Sequence, residues 1–237
     1  MAGLIVFILI VIALILLTVL FAKHFFKVIA ALWSVFFIFL VILAVLLYFD
    51  IKDLHAKFDT AEKVILLKEQ ESITTGFSIR KNDDPLFFQD IASYQQAFKE
   101  KNYARLKGNA YKLLITEKEL FNDISYVDIM GYPLSREKLF VYLNDASPRR
   151  KAAKQIATEN AIPEERVFQQ IQQEFQTEDE FKGYLFAKLV GKSLEKEGAN
   201  YVVRAYKAGQ VEIYPETITF KVIDFLPQFI FDKLFEE

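Results

Sequence analysis

From Gly3 to Phe49 the chain is apolar at almost every position, and the pattern breaks only at Lys23-His24-Phe25-Phe26-Lys27. The first run, Gly3 to Ala22, carries no charge and one polar side chain, Thr18; the second, Val28 to Phe49, is interrupted only by Ser34. A helix of twenty residues rises ~30 Å, the thickness of a bilayer's hydrocarbon layer. Lipid offers main-chain N–H and C=O groups no partner, so both runs are expected as helices. The pattern predicts a two-helix transmembrane hairpin over residues 1–49, with spans at about 3–22 and 28–49. Ala30 and Ser34, one turn apart, form a small-residue pair that lets helices pack closely in the membrane. A cleaved signal peptide fits poorly, because no basic residue precedes the first run, the run is too long, and no small-x-small site stands before Lys23.

Beyond Phe49 the periodicity changes. Leu47, Ile51, Leu54, Phe58, Ala61 and Ile65 recur at alternating steps of four and three, so the second span is expected to continue as a helical stalk or connector over residues 50–62. The seam is shorter than the three or four heptads of a convincing coiled coil. An amphipathic connector packed on its own domain is therefore the stronger reading, and a homodimer through the stalk the weaker.

Residues 63–237 read as an α+β soluble domain. Val64–Leu67 and Ile73–Ile79 suggest a β-hairpin, and Asn82-Asp83-Asp84-Pro85 a turn before a helix from Leu86 to Lys101. Ala110–Thr116 and Ser125–Met130 read as strands. From Ser135 the pattern is helical, punctuated by Ser135, by Ser147-Pro148, by Pro163 and by the Thr177-Glu178-Asp179-Glu180 capping box. The segment Glu178 to Glu197, apolar around most of its circumference and stopped at Gly198, is expected to be the central core helix. Tyr201–Tyr206 and Val211–Tyr214 suggest a second hairpin. Ile218–Leu226 fits a strand by composition or a helix by spacing, and Pro227 opens a short terminal helix.

Composition narrows the chemistry. The formal net charge is −2, and the part after Phe49 stands at −4, because Lys23 and Lys27 are the only charged side chains before Asp50. Such a balance gives no global reason to expect nucleic acid. The chain has no cysteine, which excludes disulfides, thiol catalysis and Cys-ligated metals. His24 and His55 flank the second span, so they cannot share a site within one subunit. No phosphate-binding loop, dinucleotide fingerprint or nucleophile elbow occurs. No catalytic, cofactor or metal residues are assigned. Asp50, Asp53, His55 and Asp59 read as a solvated stalk face, and the acidic pairs at helix starts as favourable dipole partners.

The basic group Arg149, Arg150, Lys151 and Lys154 opens a helix, where the macrodipole disfavours cations by ~0.3 to 1 kcal/mol each. An anion or acidic partner offsets that cost; a hydrated surface beside Asp145 is the plainer reading. Residues 153–171 resemble a helix-turn-helix unit: Ile156, Ala157, Ile162 and Val167 match its apolar and small positions, while Asn160, Ala161 and Gln170 depart from it. Glu164, Glu165 and Glu174 against one Arg166 would face phosphates, so nucleic acid is disfavoured.

These features predict an integral, multi-pass protein of the cell membrane whose partners are the lipid bilayer and a protein or second copy. The domain is expected to act as a non-enzymatic interaction or scaffold module. A nucleic-acid-binding regulator and an enzyme without Cys or His chemistry are the alternatives. Lysines on both sides of the spans leave the orientation open, and the Lys-, Glu- and Gln-rich domain without an Asn-x-Ser/Thr site tips it toward the cytoplasm.

Overall fold

A computed structural model describes residues 2–58, 60–80, 83–197 and 199–235. It divides into an N-terminal unit ending at Ile51 and a domain beginning at Lys52.

The N-terminal unit is part of one continuous helix, α1 (Ala2–Phe58), where the sequence predicts two. Nothing in Lys23–Lys27 breaks a helix, since the segment has no Gly, Pro, Asn or Asp. The hydroxyls of Thr18 and Ser34 donate to the carbonyls of Leu14 and Ala30, each at 2.8 Å, so both are satisfied inside the helix. Large apolar side chains from Ile10 onward are exposed, Phe21 at 70% and Phe36 at 50%. One stretch, Ile10–Leu54, is long and apolar enough to span a membrane. The helix does run past the second apolar run, but it stops at Phe58. The predicted seam therefore loses Ala61 and Ile65, and Ile65 is instead a buried strand residue.

The domain mixes helix and sheet, as expected. Its described strands are β1 (Lys63–Glu69), β2 (Ser72–Ile79), β3 (Leu86–Phe87), β4 (Lys112–Glu117), β5 (Tyr126–Ile129), β6 (Tyr132–Ser135) and β7 (Val211–Tyr214). Five form one sheet in the order β3-β2-β1-β4-β7, and β5 and β6 form a separate hairpin. Strands β1 and β2 make the predicted antiparallel hairpin, while β1 and β4 run parallel. Both faces of the sheet are covered, so neighbouring residues on one strand are all apolar: Val64 and Leu66 join one core, Ile65 and Leu67 the other.

The smaller core is closed by α2 (Ala92–Lys99) and α3 (Tyr103–Lys107), through Ala97, Leu106 and the partly buried Phe88, Ile91, Tyr94 and Phe98. The larger one gathers α4 (Arg136–Leu143), α5 (Pro148–Asn160), α6 (Glu164–Glu174), α7 (Glu178–Glu197), α8 (Ala199–Lys207), α9 (Ile218–Phe225) and α10 (Gln228–Phe235). Helix α7 is its centre, as its apolar circumference predicts: Phe181, Leu185, Phe186 and Leu189 have no accessible surface. It lies directly on β2 and β3. A Cβ on Gly183 would stand 3.0 Å from Phe87 Cβ and 3.1 Å from the Gly76 carbonyl oxygen, so a larger residue requires the strands to give by a few tenths of an ångström. The capping box forms as the sequence suggests, Glu180 N–H donating to Thr177 Oγ1 and Thr177 N–H to Glu180 Oε2, both at 3.1 Å.

Three expectations are corrected. Leu86 and Phe87 pair with β2, and helix α2 starts only at Ala92, after Asp90 accepts the Ala92 N–H at 2.9 Å. Tyr132 to Ser135 adds a strand, β6, that Pro133 in the sequence hides. Residues 201–206 are helical in α8, and Gly209, at φ +72°, ends that helix instead of turning a hairpin; only β7 is a strand, paired with β4. The segment left open between strand and helix is a helix over 218–225; its buried residues are Phe220 and Ile223, and Phe225 is 86% exposed. Asn82 of the predicted turn and Gly198 of the predicted stop lie outside the described residues.

Candidate functional site

A partly open cavity of about 340 Å³ lies between the sheet and helices α7 and α8. Ile65 and Leu114 form its floor, Val190 and Leu194 of α7 and Val202 of α8 its walls. Ala187 and Gly191, one turn apart on α7, are also part of its lining.

The polar side chains of the interior are turned to structural bonds. Thr116 Oγ1 donates to the Leu66 carbonyl at 3.2 Å and Ser193 Oγ to the Leu189 carbonyl at 3.0 Å. The Tyr201 hydroxyl donates to the Leu120 carbonyl. Burial pushes the Tyr201 phenol up, against a hydrogen bond with Ser193, so it stays a proton donor. What remains facing the cavity is mostly hydrocarbon. Charge is present in Lys63, Arg80 and Asp83 of the lining. Lys63 Nζ donates to the Ala61 carbonyl at 2.9 Å, and Arg80 stands 3.7 Å from Glu62 in an exposed pair.

The basic group of α5 is paired within the domain. Arg149 Nε and its main-chain N–H both donate to the Glu178 carboxylate, at 2.8 and 3.1 Å, and Nη1 reaches the carbonyls of Phe175 and Gln176, each at 3.0 Å. The guanidinium thus fastens the start of α5 to the start of α7. Arg150 meets Glu164 and Glu165 at 3.0 and 3.3 Å and lies 4.6 Å from the Phe168 ring centre. Lys151 pairs with Asp145, whose carboxyl is held below the usual range by that ammonium and by the Ser147 N–H. Lys154 is exposed. The compensation that an external anion would supply to three of the four cations comes from the chain itself.

Residues 153–171 fall on two successive helices. Helices α5 and α6 are joined by a short turn, Ala161 takes the left-handed conformation at φ +54°, and Ile156, Ala157, Val167 and Ile171 are buried between them. The outer side of α6 carries exposed Gln169, Gln170, Gln172 and Gln173 beside Glu165 and Glu174. Ala30 and Ser34 are both exposed on α1. Of the stalk carboxylates, Asp53 accepts from Lys57 at 2.7 Å and from the Tyr111 hydroxyl at 3.1 Å, a joint that ties the end of α1 to its domain. Asp59 lies outside the described residues.

Sequence reasoning missed the cavity, whose lining residues are drawn from elements far apart in the chain. It also missed the ion cluster at the strand ends, where Lys68 sits 2.9 Å from both Glu117 and Glu212. Burial opposes the charge of Lys68, but the hydrogen bonds to Glu212 and Glu117 win and lift its ammonium above the usual lysine range. Compared with protein-family models, curated proteins and solved structures, the chain matches none.

Proposed function

We propose that the chain is an integral membrane protein whose α+β domain works by interaction and not by catalysis. The observation that carries this reading is α1, an apolar helix with its side chains exposed, joined to a domain that closes its own two cores. The ion pairs of Lys68, Arg149 and Arg150 are internal to the domain and serve its strand ends and helix starts.

The same reading includes a hairpin in lipid. Gly3 to Phe49 as one helix extends ~70 Å, more than twice a hydrocarbon layer of ~30 Å. A single crossing leaves about half of those side chains in water. Opening the helix at Lys23–Lys27 places both apolar runs in lipid and the lysines at the interface, avoiding about 2.5 to 3.5 kcal/mol for each charge held at the bilayer centre. The Ala30/Ser34 pair then faces the first span. Self-association is the second element of the proposal, with Leu47 and Ile51 of α1 as its stalk contacts.

The chain has no cysteine, so single substitutions report topology without background. Gly3→Cys, His24→Cys and Asp84→Cys are each labelled with an impermeant maleimide in sealed right-side-out vesicles. The hairpin requires Gly3→Cys and Asp84→Cys to label on one side and His24→Cys on the other. A cytoplasmic domain gives labelling of His24→Cys alone before permeabilisation. His24→Cys and Asp84→Cys on the same side overturns the hairpin; loss of all three variants from membranes in alkaline carbonate overturns membrane integration.

A second reading, nucleic-acid binding through α5 and α6, is favoured by one observation, the left-handed Ala161 at the turn. The carboxylates of α6 oppose it. It requires binding to duplex DNA that weakens steeply with salt, and Gln169→Ala and Gln173→Ala to reduce it.

A further inference from the structure

We infer that the joint between α9 and α10 enters the interfacial layer of a lipid bilayer, with Phe225, Phe229 and Ile230 set at the edge of the acyl chains. The inference rests on the reading of α1 as a membrane helix and goes beyond it, because it gives the folded domain a lipid contact of its own.

Both helices are docked on the domain by other residues. Phe220 and Ile223 of α9 and Phe231 of α10 are buried in the larger core. At the junction the apolar side chains are turned out instead: Phe225 is 86% exposed, Phe229 74% and Ile230 36%. Among the described residues of the domain no other phenylalanine is exposed. The patch is therefore held in place by a packed helix pair and is not a loose tail.

The turn is also suited to a medium poor in water. A helix leaves its last carbonyls without partners, and an unpaired one is costly to remove from water. Here Lys207 of α8 donates through Nζ to the Asp224 carbonyl at 2.6 Å and to the Leu226 carbonyl at 2.8 Å. Pro227 has no N–H to satisfy, and its carbonyl accepts from the Ile230 and Phe231 N–H groups at 3.0 and 3.1 Å.

Size selects lipid over a second copy of the chain. A buried phenylalanine covers about 150 to 250 Å², so the three side chains offer about 400 Å², half of the ~800 Å² that each partner gives to a stable interface. A bilayer needs no complementary shape, and an apolar helix on the same chain supplies it at high effective concentration. Charge gives no reason to require anionic lipid. Along α9 and α10, Lys221 and Lys233 are balanced by Asp224 and Asp232, so the apolar side chains carry the contact.

The test uses the full chain in phosphatidylcholine vesicles with and without bromine on the acyl chains, which quenches nearby tryptophan. The chain has one tryptophan, Trp33 of α1, so the unsubstituted protein reports that helix, and Trp33→Phe clears the background for Phe225→Trp and Phe229→Trp. Each reporter is expected to lose emission about twofold in brominated vesicles, equally in low and high salt. Ile230→Trp in the same background should be quenched likewise. Adding Phe225→Ser and Phe229→Ser to it should abolish that quenching without moving the domain's melting temperature, since both side chains are exposed. Quenching of Trp33 without quenching of Phe225→Trp or Phe229→Trp overturns this inference and leaves α1 in lipid. An unquenched Trp33 overturns the membrane reading and the inference with it. A blue shift of Phe225→Trp that lacks quenching and grows with the protein-to-lipid ratio gives the patch to a second copy, and that too overturns the lipid contact.

Discussion

Two apolar helices of this chain have opposite surroundings. Helix α7 runs 20 residues with Phe181, Leu185, Phe186 and Leu189 wholly buried, whereas α1 runs 57 with Trp33 at 65% and Phe36 at 50% exposure. Apolarity alone does not make a core helix. Helix α7 also carries Lys182, Lys188 and Lys192 at half-buried or exposed positions, an acidic first turn and a capping box, so part of it meets water and its start is fixed. Helix α1 has no acidic residue in its first turn and no charge between Ala2 and Ala22. Burying one large apolar side chain is worth about 1.5 to 3 kcal/mol. Exposing to water the 27 large apolar side chains described between Ile10 and Ile51 therefore costs tens of kcal/mol, and this is the physical argument behind the proposal that α1 enters lipid.

The largest effect that tests this contrast is a matched pair of truncations. Phe186 packs edge-on against Phe77 and Phe121, with ring centres 5.4 and 6.0 Å away. Phe186→Ala is expected to destabilise the domain by about 3 to 5 kcal/mol, read from the thermal transition of the full chain. Phe36→Ala should stay within about 0.5 kcal/mol. A comparable loss from Phe36→Ala would mean that α1 is a core element after all. Next in size is Leu40→Arg, near the middle of the second apolar run. It is expected to disfavour insertion by about 2.5 to 3.5 kcal/mol and to raise the carbonate-extractable fraction, with the domain's melting temperature unmoved.

The sequence made α7 and the β1–β2 hairpin legible for the same reason: each carries its periodicity and its end signals together. Thr177 and Glu180 mark the start of α7, and Val64–Leu67 and Ile73–Ile79 bracket a polar turn. The failures lie where two periods coincide. Tyr201, Val202, Ala205 and Tyr206 serve a short helix as well as an irregular strand, and only packing of Val202 and Ala205 into the larger core decides. Leu86 and Phe87 follow helical spacing toward Phe98, yet two strand pairings with β2 claim them. The cavity was hidden for a different reason. Its lining comes from β1, β2, β4, α7 and α8 among others, and no single segment's period reveals a space that so many elements enclose.

Charge gives a finer test. Lys68, 17% exposed, is held between Glu117 and Glu212 on neighbouring strands, and Lys68→Met leaves those carboxylates facing each other. The loss expected at neutral pH is about 1 to 2 kcal/mol, between the values for exposed and buried pairs. The folded-state pKa of Lys68 is raised, so its contribution is fully present below the unfolded lysine value of about 10.4 and is lost as pH rises through the higher folded value. The gap between wild type and variant in chemical unfolding should therefore be constant from neutral pH to about 10 and close above it. A gap that closes on acidification alone would assign the effect to the glutamates.

The smallest effect addresses why α7 begins where it does. Thr177→Ala removes the side-chain acceptor of the Glu180 N–H and should cost about 1 kcal/mol, while Thr177→Ser costs less. Glu180 returns the contact and also accepts from Gln89 Nε2 at 2.7 Å and the Gln176 N–H at 2.6 Å. Burial works to raise its carboxyl, but the bonds from Gln89 and from the Thr177 and Gln176 N–H groups hold it below the usual range. A depressed folded pKa contributes stability above the unfolded value of about 4.3 and loses it as pH falls through the folded one. Glu180→Gln keeps an acceptor but cannot titrate, so its deficit relative to wild type should be present at neutral pH and shrink on acidification below that value. If the deficit is independent of pH, the carboxylate acts by shape and not by charge, and the cap that separates α7 from α1 is a matter of geometry alone.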